Sequence, residues 1–361
     1  MNQNSVKTMD PRIEEHAKIL VEWSTEVKKG DMVVIRATPH SHDLAVAITQ
    51  QVAKAGGSTV VLMDSEEITY GFYKGADDDT LKLLPEHLKS LYEKTDVLIA
   101  LRSPVNTRAT SNVDPKRMMT RNKATQEISE IVMEKRWCLT VHPCATLAQQ
   151  GNMSMDEYQD FAYGAMLIDW KEASKNMYLI KEHLEKHKDV RFTGPETDLY
   201  AKTEGRIWIA SDGKHNMPSG EVFTAPIEDT VEGKIYFDIP FMQQGKVIEG
   251  VRLTFEKGQV VDYSVEKNEE AFEAVLETDE GSRYLGEMAI GTNRGIKDYT
   301  LNMLFDEKIG DTIHCALGRA YKDCKGTNES AVHVDMIKTM IEGEITAGDE
   351  VIYSKGKFFF E

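Results

Sequence analysis

The chain has 361 residues, 41% of them hydrophobic and 29% charged, with a formal net charge of -17. This length exceeds one ordinary core and predicts two domains, and the composition excludes a disordered chain. The acidic excess argues against a nucleic-acid partner and favours a substrate with a free amino group, and no stretch reaches the roughly 18 apolar residues of a membrane span.

Residues 1–9 are polar and lack the apolar run of a signal peptide. The four cysteines (Cys138, Cys144, Cys315 and Cys324) are too sparse for a disulfide framework and point to a reducing cytoplasm. The first half then alternates strand and helix. Residues 31–37 form a short β-branched run opened by Gly30 and closed by Pro39. An amphipathic helix over about 43–54 ends at Gly56-Gly57, and 59–63 reads as a second buried strand. That is a βαβ unit, for which right-handed parallel pairing is the default. A helix around 80–93 leads to a strand at 96–101, and one near 124–135 to a strand at 137–143. The expectation is an open, mainly parallel α/β domain over residues 1–165.

A long Lys- and Glu-rich helix is predicted over about 158–188, bridging the halves. Beyond Val190, strands at 206–210, 234–238 and 251–255 alternate with turns such as Ser211-Asp212-Gly213 and Glu256-Lys257-Gly258. With a helix near 269–277, this predicts an α+β C-terminal domain over 166–361, built on a largely antiparallel sheet.

The side chains that carry chemistry cluster late in the chain. In Ala331-Val332-His333-Val334-Asp335, strand alternation puts His333 and Asp335 on one face, where they can share a cation or orient each other. Residues 312–317 are also strand-like, with His314 on the face opposite Ile313 and Cys315; Cys315 therefore reads as core. Glu249 and Glu287 each neighbour a glycine, which permits close backbone approach. Taken singly, a glutamate is usually solvated, a histidine in an apolar run is usually a hydrogen-bonded core residue, and Tyr321 packs like most tyrosines. Together, two imidazoles and three carboxylates suffice for a pair of divalent cations. His40-Ser41-His42-Asp43 is better explained by helix capping at Ser41 or Asp43, and His142-Pro143-Cys144 lies at a strand end with no partner in sequence. No phosphate loop, nucleophile elbow or His-Glu-x-x-His helix is present.

At these phrases the sequence resembles the aminopeptidase T family of dinuclear metallo-aminopeptidases. The text that carries the resemblance runs His215-Asn216-Met217-Pro218-Ser219-Gly220-Glu221-Val222-Phe223-Thr224-Ala225-Pro226, Ile248-Glu249-Gly250, Leu285-Gly286-Glu287 and Leu304-Phe305-Asp306-Glu307-Lys308-Ile309. It continues through His314 to Tyr321 and His333-Val334-Asp335. The resemblance implies Glu249, Glu287, His314, His333 and Asp335 as ligands of two divalent ions (zinc, cobalt or manganese), with Glu287 bridging. It implies Tyr321 as donor to the tetrahedral oxyanion, and Glu249 or Glu287 as carrier of the proton. Glu221 would meet the free amine of a peptide substrate, and the chain would form a cytoplasmic homodimer. Neighbours of that family include single-iron enzymes that open hydroxylated pyridine rings. His314, His333 and Asp335 match the composition of such a site, so a mononuclear Fe(II) dioxygenase acting on a dihydroxypyridine is the alternative. A non-catalytic peptide- or metabolite-binding protein is the third reading.

Overall fold

The computed structural model describes residues 9–361, so the polar start of the chain, apart from Met9, lies outside the described residues. The chain divides into two compact units. The first ends at Leu167 and takes back Gly213–Met217; the second holds Ile168–Asp212 and Pro218–Glu361.

The first unit is built on a parallel sheet of five strands in the order Ser58–Met63, Met32–Ala37, Val97–Leu101, Arg136–Thr140, Asn216–Met217. Val33, Val34, Ile35, Val97 and Ile99 are buried, as expected of parallel strands covered by crossover helices. The first crossover helix, His42–Ala55, buries Leu44, Ala47, Ile48 and Val52 on one stripe. It stops at Gly56, whose left-handed φ of 85° lets its N–H reach back to the last turn. The first strand sits between the second and the third, so the chain winds away from it in both directions.

Two predicted helices are interrupted, each for a local reason. The bridge expected over 158–188 is two helices, Met155–Met166 and Trp170–Leu184. Asp169 starts the second by accepting the N–H groups of Lys171 at 3.0 Å and Glu172 at 3.1 Å. The helix expected at 80–93 begins at Glu86, after Pro85, with a separate turn at Asp78–Leu81. The one near 124–135 is Gln126–Met133, preceded by Pro115–Ala124.

The second unit is antiparallel. Eight strands run in the order Gln259–Ser264, Val251–Glu256, Glu232–Phe237, Thr197–Lys202, Asp189–Gly194, Glu344–Ala347, Glu350–Ser354, Lys357–Phe358. Five more run in the order His333–Thr339, Thr312–Gly318, Leu285–Gly291, Glu221–Thr224, Ile209–Ser211. Phe192, Phe237 and Phe255 of the larger sheet share one hydrophobic cluster with Met288, Ile313, Leu317 and Met336 of the smaller. Each such side chain contributes about 1.5–3 kcal/mol on burial. The smaller sheet thus spends one face on the core and keeps the other for chemistry. Among the described residues no helix is long and apolar enough to cross a membrane.

Candidate metal centre

Register decides which side chains meet. Directly opposed residues of an antiparallel pair share a face. On the smaller sheet Glu221 opposes Gly291, Ala289 opposes His314, Glu287 opposes Ala316, Asp335 opposes Ala316 from the other side, and His333 opposes Gly318. Glu221, Glu287, His314, His333 and Asp335 therefore stand on one face of four neighbouring strands. The positions between them are Gly291, Ala289, Ala316 and Gly318, side chains too small to fill the space. On the opposite face, Met288, Ile290, Ile313, Cys315, Leu317, Val334 and Met336 belong to the hydrophobic core.

The five chelating groups form two sets that share one carboxylate. Glu221, Glu287 and His314 have ligand atoms within 4.8 Å of one another, as do Glu287, His333 and Asp335. His314 Nε2 lies 3.4 Å from Glu221 Oε2 and 3.6 Å from Glu287 Oε1; His333 Nε2 lies 3.1 Å from Glu287 Oε2 and 3.5 Å from Asp335 Oδ1. The ring of His333 is fixed from behind, because Nδ1 donates to the Arg319 carbonyl at 2.7 Å and leaves Nε2 facing the carboxylates. Glu221 and Glu287 are only 5% and 4% exposed and His314 only 1%, so these charges are held out of water.

Burial resists ionising either histidine, yet the carboxylates win. Hydrogen bonding to Glu287 and the charge of Glu221 lift His314 to about 9, and Asp335 with Glu287 lifts His333 to about 11. Burial likewise opposes the charge on Glu287 and Asp335, but the histidines hold both below the usual carboxylate range. Two neighbours complete the charge pattern. Lys308 is fully buried, 3.5 Å from Glu221 Oε1 and in contact with Glu307, and these carboxylates keep it protonated against burial. Tyr321 stands at the rim, its ring 5.0 Å from that of His333 and 5.8 Å from that of Phe223. Burial and the charges of Glu287 and Asp335 raise its phenol, so it stays a donor.

The residues fit divalent cations. Glu221 Oε2 and His314 Nδ1 are buried without a hydrogen-bond partner, and three carboxylates with two imidazoles are the mixed oxygen and nitrogen donors such ions take. Four of the five residues expected as ligands are brought together: Glu287, His314, His333 and Asp335. Glu249 is not. Its carboxylate is 38% exposed and pairs with Lys267 at 2.5 Å, and it belongs to neither set. The fifth place is taken by Glu221, read from sequence as a contact for the substrate amine. The signal for it in sequence was weak, since Glu221 follows Pro218-Ser219-Gly220 and opens its strand ahead of the apolar pair Val222-Phe223. Lys308 and Glu307 stood in the sequence only as part of a longer phrase. The histidines at 40 and 42, like His142 and Cys144, join no metal-type group among the described residues. Ser41 does not cap the helix His42–Ala55 through its side chain; it closes the preceding turn, its Oγ accepting the Thr38 N–H at 2.8 Å.

Comparison with known proteins agrees with the geometry. The family model described as thermophilic metalloprotease (M29) matches residues 9–358. Aminopeptidase 2 of Geobacillus stearothermophilus is 27% identical over 410 aligned residues, 98% of this chain and 98% of that protein. The solved structure of wild-type AmpT from Thermus thermophilus superposes with a TM-score of 0.79 at 23% identity, covering 97% of this chain and 99% of that one. The structure of 2,5-dihydroxypyridine dioxygenase from Pseudomonas putida KT2440 gives a TM-score of 0.63 at 14% identity, over 98% and 99% of the two chains.

Proposed function

Since the chain belongs to the thermophilic metalloprotease (M29) family, we propose that it is an aminopeptidase that removes N-terminal residues from peptides by hydrolysis at a two-ion centre. The observation that carries this reading is the pair of three-residue chelating sets joined through Glu287. Glu221 and His314 would hold one ion, His333 and Asp335 the other, and Glu287 would serve both; zinc, cobalt or manganese suits the donors. Ions bound there supply Lewis acidity and a water that ionises near neutral pH. Lys308 keeps Glu221 oriented and balances its charge. The backbone carbonyl of Arg319 keeps the His333 ring in one tautomer. Tyr321 would donate its phenolic hydrogen bond to the oxyanion of the tetrahedral intermediate, while Glu287, with one oxygen toward each set, would stay a ligand and not carry the proton.

A single-iron dioxygenase requires only two histidines and one carboxylate, and leaves the buried Glu221 without a task. Behind that alternative stands a likeness of fold alone. We also read the protein as a cytoplasmic homodimer. Its four cysteines are free and buried, and the edge strand Ser58–Met63 exposes Val61 and Met63 on one face and Val60 on the other, an apolar edge that a second copy would cover. Elemental analysis of protein purified without added metal should return close to two divalent ions per chain, with chelator-sensitive release of N-terminal residues. E287Q should abolish turnover; one iron per chain, or turnover that survives E287Q, overturns the reading.

A further inference from the structure

The parallel sheet of the first unit has a site of its own. Chain connections diverge from Met32–Ala37 toward Ser58–Met63 on one side and Val97–Leu101 on the other. In open α/β sheets, ligands collect outside the carboxyl ends of the strands at such a point, because the diverging loops leave a crevice there. A cavity of about 240 Å³ opens at that place, lined by residues that directly follow these strands or end them, among them Arg36, Asp64, Glu66 and Arg102. Pockets for drug-sized ligands start at about 300 Å³, so this one suits a smaller molecule.

The charges in it are balanced, two of each sign, and only part of that balance is internal. Arg36 pairs with Asp64 at 2.5 Å. Glu66 uses Oε2 to accept the Val105 N–H at 3.1 Å, which leaves Oε1 for another donor. The guanidinium of Arg102 has neither an ion pair nor a hydrogen bond among the described residues. Arg102 is exposed to solvent over part of its surface; partial burial and the charge of Arg36 disfavour its charge, while Asp64 and Glu66 favour it. A plain anion would call for a net positive pocket. Here a free donor fork stands beside a half-used carboxylate, and that pattern suits a molecule carrying both charges. Ala100 and Pro104 supply apolar wall.

We propose that this cavity binds a free α-amino acid with an apolar side chain, its carboxylate on Arg102 and its ammonium on Glu66. Such a molecule is what an aminopeptidase releases, so the site would let the protein sense its own product. That link, and only that link, rests on the peptidase reading above.

The test is calorimetric titration of L-leucine, leucinamide and 4-methylpentanoate into the metal-loaded full chain, for the native protein and for R102A, R102K and E287Q. Leucine should bind the native protein and E287Q alike, and R102A at least tenfold more weakly, with part of the affinity restored in R102K. Leucinamide lacks the carboxylate and 4-methylpentanoate lacks the ammonium; each should bind at least tenfold more weakly than leucine. If R102A fails to fold, the two analogues and R102K carry the comparison. The proposal is overturned if leucine does not bind, if R102A binds it as the native protein does, or if E287Q loses it, since that last result places leucine at the metal centre. Absence of peptidase turnover would sink the catalytic reading and leave these titrations standing.

Discussion

At the scale of single residues, Glu221 and Glu249 give a clean contrast, since both precede or follow glycine and only one is brought to the chelating face. E221A should lose at least one of two bound ions and nearly all turnover, because it deletes a donor that no neighbouring side chain replaces. E249A removes a half-exposed ion pair, worth at most about 1 kcal/mol, and should keep metal content and turnover. Metal analysis beside peptide hydrolysis separates these outcomes; equal losses in the two variants would contradict the assignment. Tyr321 makes a different prediction. Y321F keeps the ring against His333 and Phe223 and deletes only the donor, so kcat should fall roughly 100-fold with metal content unchanged and KM little altered. His333 and Asp335 were legible because alternation alone puts them on one face. The pairing of Glu249 with Lys267 was not legible, because Ile248-Glu249-Gly250 carries no mark of the antiparallel bridge that those two residues form.

Elements turn these residues into a site, and the decisive one is the strand Leu285–Gly291. Its register slips between Leu285 and Glu287, a bulge that re-aims the next side chain, and that side chain is the carboxylate common to both chelating sets. Gly286 permits the slip. A Cβ there would lie 2.4 Å from the Gly318 carbonyl oxygen and 2.5 Å from that of Arg319, the same carbonyl that accepts from His333. G286A must therefore push apart the strands that hold Glu287 and His333, at a cost of about 1–3 kcal/mol. The expected result is a thermal midpoint lower by several degrees together with weaker metal retention in equilibrium dialysis; a stable G286A that keeps its metal would show that the bulge does not aim Glu287. Strand character was readable throughout this region from β-branched runs and turn residues. Bulges and register were not, because they depend on what the partner strand presents. The helix boundaries failed for a related reason: the composition of 158–188 favours helix throughout, and a single side chain, Asp169, restarts it.

For the whole molecule, length and texture indicated an α/β half followed by an antiparallel half, and that division of secondary structure is present. The return of Gly213–Met217 to the first unit was not visible, since Asn216–Met217 pairs with Arg136–Thr140 far away in sequence. The first unit also contains a pH liability that composition cannot reveal. His16 is completely buried, its Nε2 3.0 Å from the Thr140 hydroxyl, and burial with the nearby His142 pushes it down to about 3. Burial chiefly pushes His142 down to about 4. Both Nδ1 atoms are buried without a hydrogen-bond partner, as a neutral ring allows and a charged one does not. A histidine whose folded pKa lies below its unfolded value of about 6.5 contributes its full stability above pH 6.5 and loses it as the pH falls toward the folded value. Each unit of pH below 6.5 therefore costs about 1.4 kcal/mol per histidine, or about 4 kcal/mol for the two at pH 5. Carboxylates held low by their partners, such as Asp10 and Asp31, contribute in the same direction only at lower pH. Urea unfolding of the full chain should thus show a steep loss between pH 7 and pH 5, and H16N, which keeps a polar group near Thr140 but cannot take up a proton, should remove about half of that slope. A stability that is flat across this interval, or a slope unchanged in H16N, would mean that acid lability arises elsewhere in the molecule.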